Sequence, residues 1–134
     1  MENKVLFQEA VRAREHAYAP YSGFKVGAAL LGGNGKVYTG CNIENAAYTP
    51  TNCAERTAFF KAVSEGERRF VKIAIAGGRG GCLDFCPPCG VCRQVMEEFC
   101  SPEDFEIILG DGKGNIKVYT LGKLLPDGFG PKNL

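Results

Sequence analysis

The segment Val71-Lys72-Ile73-Ala74-Ile75-Ala76 decides the fold class, because it is a short apolar strand that lies between two predicted helices. The helix before it covers residues 53–63, which are rich in good helix formers. The helix after it covers residues 89–99 and follows Pro87-Pro88. Residues 77–81 are rich in glycine and predict a loop between the strand and the second helix. Helices inserted between strands in this way favour a mixed sheet that is covered on both faces.

The rest of the chain adds elements on both sides of this segment. The spacing of apolar residues predicts a first helix over residues 5–18, and residues 121–125 predict one further helical turn. Tight turns at residues 32–35 and 111–115 each predict a hairpin. The remaining strands are predicted at residues 25–31, 36–43, 105–109 and 116–119. The sequence therefore predicts one domain over residues 1–134, an α/β three-layer α-β-α sandwich with a mixed five-stranded sheet.

Length, composition and charge argue against several classes of protein. A chain of 134 residues with 45% hydrophobic and 23% charged residues is typical of one globular domain. The net charge of +1 gives no broad positive field of the kind that a duplex nucleic-acid binder needs. No apolar run approaches the ~20 residues of a membrane helix, and residues 1–9 lack the features of a signal peptide. We expect a cytoplasmic protein that binds neither nucleic acid nor membranes.

Seven cysteines are the most informative part of the composition. In a chain expected in the reducing cytosol, an odd number of cysteines favours metal binding or catalysis over disulfides. Cys89 and Cys92 are three residues apart at the predicted start of a helix, so the first helical turn directs both sulfurs the same way. Cys53, at the predicted start of the other helix, supplies a third sulfur. Three protein ligands that leave one tetrahedral position open are typical of a catalytic zinc site.

A carboxylate lies close to this predicted zinc site. Glu55 follows Cys53 by two residues, so both reach one metal ion if Cys53 lies at the helix entrance. A carboxylate beside a zinc-bound water is what general acid/base catalysis needs. A capping box formed by Asn52 and Glu55 is the alternative, purely structural interpretation of the same carboxylate.

These segments resemble the signature of the zinc-dependent deaminases, in which Cys or His, any residue and Glu are followed later by Pro-Cys-x-x-Cys. The resemblance extends over nearly the whole chain to the small, homotetrameric cytidine deaminases. It is carried by PYSGFKVGAA at residues 20–29, GCNIENA at residues 40–46, CAER at residues 53–56 and PCGVC at residues 88–92. A Cys rather than a His at position 53 resembles the branch that acts on free nucleosides.

The resemblance implies hydrolytic deamination of cytidine and deoxycytidine to uridine and deoxyuridine, a reaction of pyrimidine salvage carried out by a hydrolase acting on cyclic amidines. It implies one Zn²⁺ per chain, held by Cys53, Cys89 and Cys92. Zinc-bound hydroxide would attack C4 of the base while Glu55 shuttles protons. The implied assembly is a homotetramer in which neighbouring subunits complete each site.

The resemblance also implies which residues bind the nucleoside. Phe24 offers a flat apolar face to the pyrimidine ring, and Asn42 and Glu44 bind the ribose hydroxyls. Ala46 lies nearby, and Tyr48 is contributed by a neighbouring subunit. For Phe24, packing in the hydrophobic core is the alternative interpretation.

Three further residues receive roles around the site. Arg56 hydrogen-bonds the ligand sulfurs in similar enzymes and offsets their negative charge. Gln94 is expected to support the metal ligands without binding the ion itself. Phe129 resembles an aromatic residue that closes the base site across a subunit interface. The alternatives are a solvated helix arginine for Arg56 and a core residue for Phe129.

The other cysteines and the single histidine have structural interpretations. Cys86-x-x-Cys89-x-x-Cys92 also resembles the start of an iron–sulfur run, but no fourth Cys follows about four residues later with a Pro after it. Cys82, Cys86 and Cys100 are therefore interpreted as spare thiols. His16 is expected to be a solvated or packed side chain rather than a ligand.

Three other functions remain alternatives. A deaminase of a modified nucleoside or nucleoside antibiotic would share the metal site and differ around Phe24 and Asn42. A deaminase that edits polynucleotides is disfavoured by the neutral net charge. A non-enzymatic structural zinc module belongs to a different class and would hold the metal with four protein ligands.

Overall fold

Five strands form one mixed sheet in the middle of the molecule. The computed structural model describes residues 1–134. The strands are β1 (Phe24–Gly32), β2 (Val37–Cys41), β3 (Phe70–Arg79), β4 (Glu106–Gly110) and β5 (Ile116–Thr120). Their order across the sheet is β2-β1-β3-β4-β5. Strands β3 and β4 are parallel, and all other neighbouring strands are antiparallel.

Helices cover both faces of this sheet. They are α1 (Asn3–Arg14), α2 (Ala54–Ser64), α3 (Gly90–Phe99) and α4 (Leu121–Leu124), and a short 3-10 turn follows at Pro131–Asn133. Leu6 and Phe7 of α1 pack in one buried cluster with the sheet. Phe59 of α2 and Met96 of α3 pack in a second cluster. The predicted three-layer α-β-α architecture with a five-stranded mixed sheet is confirmed.

Alternation of side chains along the strands separates the two clusters. In β3, Ile73 and Ile75 face the cluster of α2 and α3, whereas Ala74 and Ala76 face α1. The small residues on the second face allow α1 to approach closely. An added Cβ at Gly27 of β1 would lie 2.1 Å from the carbonyl oxygen of Ala10, so only glycine fits under α1 at this position.

Two predicted element ends were wrong by three residues or more. The first helix ends at Arg14 rather than near residue 18, because the backbone N–H of Tyr18 donates to the carbonyl of Asn42 and draws the chain toward β2. The glycine-rich stretch predicted as a loop begins inside β3, since Gly77 and Gly78 pair with β1. An added Cβ at Gly78 would lie 1.9 Å from the Cys82 carbonyl oxygen, so these glycines allow a close backbone approach within a strand.

The helices that carry the predicted metal ligands agree with the sequence to within one residue. The prediction for α2 was 53–63 against the observed Ala54–Ser64, and for α3 it was 89–99 against Gly90–Phe99. No helix of the molecule is both long enough and apolar enough to span a bilayer.

Candidate metal centre and active site

The starts of α2 and α3 lie side by side. Cys53 is the N-cap of α2 and Cys89 is the N-cap of α3, and neither side chain caps its own helix. The predicted alternative of a capping box at α2 is not formed: the Asn52 amide donates to the hydroxyl of Thr57 instead. Both cysteine sulfurs are therefore available to a ligand at the positive ends of two helices.

Three sulfurs converge between these helix starts. The sulfurs of Cys53 and Cys89 are 3.6 Å apart, and those of Cys53, Cys89 and Cys92 all lie within 4.8 Å of one another. A tetrahedral zinc ion with Zn–S bonds of about 2.3 Å requires S–S separations of roughly 3.8 Å. The donor set therefore fits zinc, with one position left for a non-protein ligand. Cys86 does not belong to this group of sulfurs.

The charge state of the sulfur cluster is asymmetric. The hydrogen bond from the Cys92 thiol lowers the pKa of Cys53 to about 5, and Arg56 acts in the same direction against the effect of burial. The pKa of Cys92 is raised, because it gives its proton to that hydrogen bond and is buried. The hydrogen bond from Cys92 and the nearby Arg56 therefore favour the thiolate form of Cys53, and a bound cation would favour loss of the remaining protons.

Arg56 lies against the sulfurs from the first turn of α2. Its Nη2 donates to the Cys53 sulfur at 3.3 Å. Burial opposes its charge, but hydrogen bonds to Cys53 and Cys92 outweigh burial and raise its pKa. Its Nε is buried without a partner. A positive charge at this distance stabilises thiolates, so the guanidinium favours the metal-binding form of the sulfurs.

Glu55 is the only carboxylate among the residues that line the cavity beside these sulfurs. It is 4% exposed, and burial raises its pKa to about 7. The negative charge of Cys53 adds to this rise. A carboxyl group with a pKa near neutrality can both accept and return a proton, which a general acid/base must do.

A cavity of about 200 Å³ opens beside the sulfurs. Glu55, Asn42 and Cys86 line it together with Cys53 and Cys89, and its remaining lining residues are Val26, Thr51, Asn52, Ala54 and Pro87. Thr51 also lines a second cavity of about 410 Å³, with Tyr21, Ser22, Glu44, Asn45 and Tyr48. The two cavities therefore adjoin at Thr51. Sequence reasoning missed Val26, Thr51 and Pro87, and no local signal marks them.

The predicted ribose-binding residues occupy these two cavities. Asn42 faces the cavity of Glu55, where its amide also joins two strands: Nδ2 donates to the Phe24 carbonyl at 2.8 Å and Oδ1 accepts from the Val26 N–H at 2.9 Å. Glu44 accepts hydrogen bonds from the backbone N–H groups of Tyr21 and Ser22 and from the Ser22 hydroxyl. The Ser22 hydroxyl is the main reason that the pKa of Glu44 is lowered.

The other predicted site residues lie in different surroundings. Phe24 is half-buried and packs against the core, next to the β3 glycine that faces Cys86. Ala46 and Tyr48 are exposed, and Tyr48 has a φ of 62°. Phe129 is 58% exposed. Gln94 donates to the Phe129 carbonyl at 2.7 Å, so its amide contacts the C-terminal segment.

The remaining cysteines and the histidine lie outside the sulfur cluster. Burial raises the pKa of Cys86 to about 12, so its thiol stays protonated. Cys82 is exposed, and Cys100 is buried near Glu97. His16 is exposed in the turn after α1. None of these side chains belongs to the metal-ligating group.

Three sulfurs between two helix starts, with a buried carboxylate beside them, form the arrangement that is typical of zinc-dependent deaminases. The family model of the cytidine and deoxycytidylate deaminase zinc-binding region matches residues 1–105, and the chain belongs to this family.

Known relatives in this family are cytidine deaminases. The chain is 51% identical over 134 residues to the cytidine deaminase of Sporosarcina psychrophila, a match that covers 100% of this chain and 96% of that protein. It is 53% identical over 129 residues to the cytidine deaminase of Halalkalibacterium halodurans, with 96% and 95% covered.

Solved structures agree with this assignment. The crystal structure of cytidine deaminase from Burkholderia pseudomallei matches with a TM-score of 0.88 and 50% identity, over 96% of this chain and 100% of that one. The cytidine deaminase of Mycobacterium tuberculosis matches with a TM-score of 0.82 and 39% identity, over 97% and 98%. The fold predicted from the sequence is therefore that of known cytidine deaminases.

Proposed function

We propose that this protein is a cytidine deaminase that converts cytidine and deoxycytidine, with water, to uridine and deoxyuridine and ammonia. The observation that carries the proposal is the position of Glu55, a buried carboxylate in one cavity with the sulfurs of Cys53 and Cys89. A structural zinc module needs a fourth protein ligand and has no use for a buried acid at that position. The names of the full-length relatives support the same substrate class.

Cys53, Cys89 and Cys92 would hold the zinc ion. When bound, zinc makes water a nucleophile at neutral pH. Glu55 would accept one proton as the water oxygen bonds to C4 and would donate it to N3 of the cytosine ring. It would then move the proton of the new C4 hydroxyl to the amino group, which leaves as ammonia when the C4–N bond breaks. A pKa of about 7 suits both transfers. Arg56 keeps the sulfurs from neutralising the cation fully.

The nucleoside would extend from the cavity of Glu55 into the adjoining cavity of Glu44. Asn42 keeps one amide N–H and one lone pair for a ribose hydroxyl after its two strand contacts. A second ribose hydroxyl would replace the Ser22 hydroxyl at Glu44. Phe24 would stack on the base, and Ala46 would lie beside the sugar. Asn42 and Glu44 would discriminate against sugars that lack the hydroxyls with which they form hydrogen bonds.

We further propose a cytoplasmic homotetramer that serves pyrimidine salvage, classed with the hydrolases acting on cyclic amidines. Tyr48 and Phe129 are exposed aromatic side chains, at 74% and 58%. Their exposure supports contact with a neighbouring subunit, where Tyr48 would reach the sugar and Phe129 the base.

The decisive experiment is an ultraviolet assay of cytidine turnover by Glu55→Gln and wild-type protein, with zinc measured in both. We expect Glu55→Gln to keep one zinc per chain and to lose about 10²–10⁴-fold in kcat, because the amide cannot transfer protons. Glu65→Gln is the matched control, since Glu65 is an exposed residue at the end of the same helix. A fully active Glu55→Gln protein would end the proposal. Turnover of a modified nucleoside but not of cytidine would show that the modified nucleoside is the substrate.

A further inference from the structure

The C-terminal segment around Phe129 is fixed to α3, which contains Cys92 and has Cys89 as its N-cap. Gln94 of α3 donates to the Phe129 carbonyl at 2.7 Å. Its neighbour Arg93 donates from Nη1 to the Leu124 carbonyl at 2.6 Å and from Nε to the Pro88 carbonyl at 2.7 Å. Two consecutive residues of α3 therefore connect the C-terminal region to the loop that leads into the metal centre.

A buried carboxylate lies under the same segment. Glu97 is 5% exposed, and its Oε1 has no hydrogen-bond partner. An added Cβ at Gly128 would lie 2.3 Å from this oxygen, and one at Gly130 would lie 3.0 Å from Cγ and 3.3 Å from Oε2. The Glu97 side chain is therefore enclosed by two glycines, and a side chain at either position would displace it.

The unpaired oxygen of Glu97 calls for a physical reason. A buried acceptor without a donor destabilises the fold, and an apolar residue of similar size would avoid that penalty. Unsatisfied buried polar groups are few in native proteins, and a functional role is one of their recognised explanations. Glu97 does not line the cavity of Glu55, so direct contact with the reacting groups is not that function.

Contacts on both sides of Phe129 fix the backbone from which its ring projects. Its carbonyl is held by Gln94, and the glycine on each side of it packs on Glu97. The ring itself is 58% exposed, although the backbone beneath it is anchored. An exposed aromatic ring on an anchored backbone is suited to contact with another molecule, because Phe buries a large apolar area at little cost in conformational entropy.

We propose that Gln94 and Glu97 are positioning residues that form a seat for Gly128–Gly130, and that this seat holds Phe129 against the base bound in a neighbouring subunit. The inference rests on the proposed function, in which Phe129 covers that base. Gln94 then acts through Phe129 and not on the metal.

A double-mutant cycle between Gly128 and Glu97 tests the seat. Gly128→Ala should raise KM for cytidine about fivefold or more with kcat within about twofold, as expected when substrate binding alone is weakened. In the Glu97→Ala background the same change should raise KM by a smaller factor, since the carboxylate oxygen 2.3 Å from the new Cβ is gone and only Leu125 Cδ2, at 3.0 Å, remains in close contact. An equal effect of Gly128→Ala in both backgrounds would overturn the seat.

Two further variants separate positioning from simple instability. Gln94→Leu should raise KM while zinc stays at one per chain; loss of zinc would show that Gln94 acts at the metal and would overturn the inference. Gly128→Ala should add nothing to Phe129→Ala, because both act through the same ring. Gly81→Ala is the control, since an added Cβ there meets nothing within 4 Å. Thermal unfolding of each variant verifies that the fold persists.

The outcomes for Phe129 distinguish the seat from the proposed function. If Phe129→Ala leaves KM unchanged, the proposed role of Phe129 is wrong and the seat has no purpose in catalysis. If Phe129→Ala raises KM but Gly128→Ala and Gln94→Leu do not, Phe129 acts without the seat, and only the inference made here is wrong.

Discussion

Charge compensation at single residues decides whether the three sulfurs can serve a catalytic zinc ion. Three thiolates carry more negative charge than Zn²⁺ neutralises, which weakens the pull of the metal on its water. Arg56, in the first turn of α2, donates to the Cys53 sulfur at 3.3 Å. Its positive guanidinium therefore offsets part of the negative charge of the sulfurs. We therefore propose that Arg56 supports the three metal ligands without itself being one.

We predict that Arg56→Ala lowers zinc affinity by about 10–100-fold, the usual loss when a partner of the ligands is removed. Competition with a chromophoric chelator measures this affinity. Arg68→Ala is the matched control, because Arg68 is exposed beyond the end of α2. An unchanged affinity in Arg56→Ala would mean that the guanidinium only packs against the sulfurs.

The identity of the three ligands is a second prediction at this scale. Cys86→Ser should retain one zinc per chain, because the Cys86 sulfur lies outside the converging group. Cys92→Ser, a matched change on α3, should lose the metal, since a hydroxyl is a poor zinc ligand. Metal analysis of protein purified without chelator measures both. An empty site in Cys86→Ser would contradict the assignment of ligands.

Among the elements, α2 owes its position to one glycine of β2. An added Cβ at Gly40 would lie 2.4 Å from the Ala54 carbonyl oxygen and 2.6 Å from the Ala58 nitrogen. These are backbone atoms of the helix that carries Cys53 and Glu55. The close approach therefore sets the depth at which the Glu55 carboxylate enters the cavity.

We predict that Gly40→Ala lowers the free energy of unfolding by about 1–3 kcal/mol, because overpacking forces α2 away from the sheet. Urea denaturation of the zinc-loaded protein measures this change. Gly112→Ala should be nearly neutral, since its added Cβ meets no atom closer than 3.7 Å. Equal stability of Gly40→Ala and wild type would mean that α2 shifts without strain.

Local signals were sufficient for α2 and α3 and insufficient for α1 and β3. Helix formers over residues 53–63 and the Pro pair before Cys89 fix boundaries through nearby residues. The end of α1 depends instead on a hydrogen bond from Tyr18 to Asn42, which is distant in sequence. The glycines of β3 were predicted as a loop from the sequence. The strand needs glycine there because the Cys82 carbonyl approaches Gly78 closely, and this contact is visible only in three dimensions.

The same distinction applies to the candidate site. The sulfurs and Glu55 were predictable because their spacing at two helix starts is a local pattern. Thr51 adjoins both cavities but carries no chemical signal in the sequence. The contact of Gln94 with Phe129 joins residues 35 positions apart, so nothing in the local sequence predicts it.

At the scale of the whole molecule, the sheet assembles a site from distant parts of the chain. Cys53 and Cys89 are 36 residues apart, yet their sulfurs lie 3.6 Å apart because α2 and α3 start beside one another on the same face of the sheet. The backbone of Phe129 is anchored to α3 through Gln94, whereas its ring is exposed, and we propose that this ring contacts another subunit.

This arrangement predicts complementation between two impaired variants. Glu55→Gln lacks the proton carrier, and Phe129→Ala lacks the ring that we propose to cover a neighbour's base. In a mixed oligomer, a Phe129→Ala subunit keeps its own Glu55 and receives Phe129 from a Glu55→Gln neighbour. We therefore expect co-expressed variants, purified through two different tags, to turn over cytidine with a KM close to that of wild type.

The control replaces one partner in the mixed oligomer. Phe129→Ala co-expressed with the double variant Glu55→Gln/Phe129→Ala contains no intact ring, so its KM should stay as high as that of Phe129→Ala alone. The contrast isolates the ring supplied by the neighbour, because Glu55 is identical in both mixtures. A KM that stays high in both mixtures would show that each subunit uses its own Phe129, and the site would then be complete within one chain.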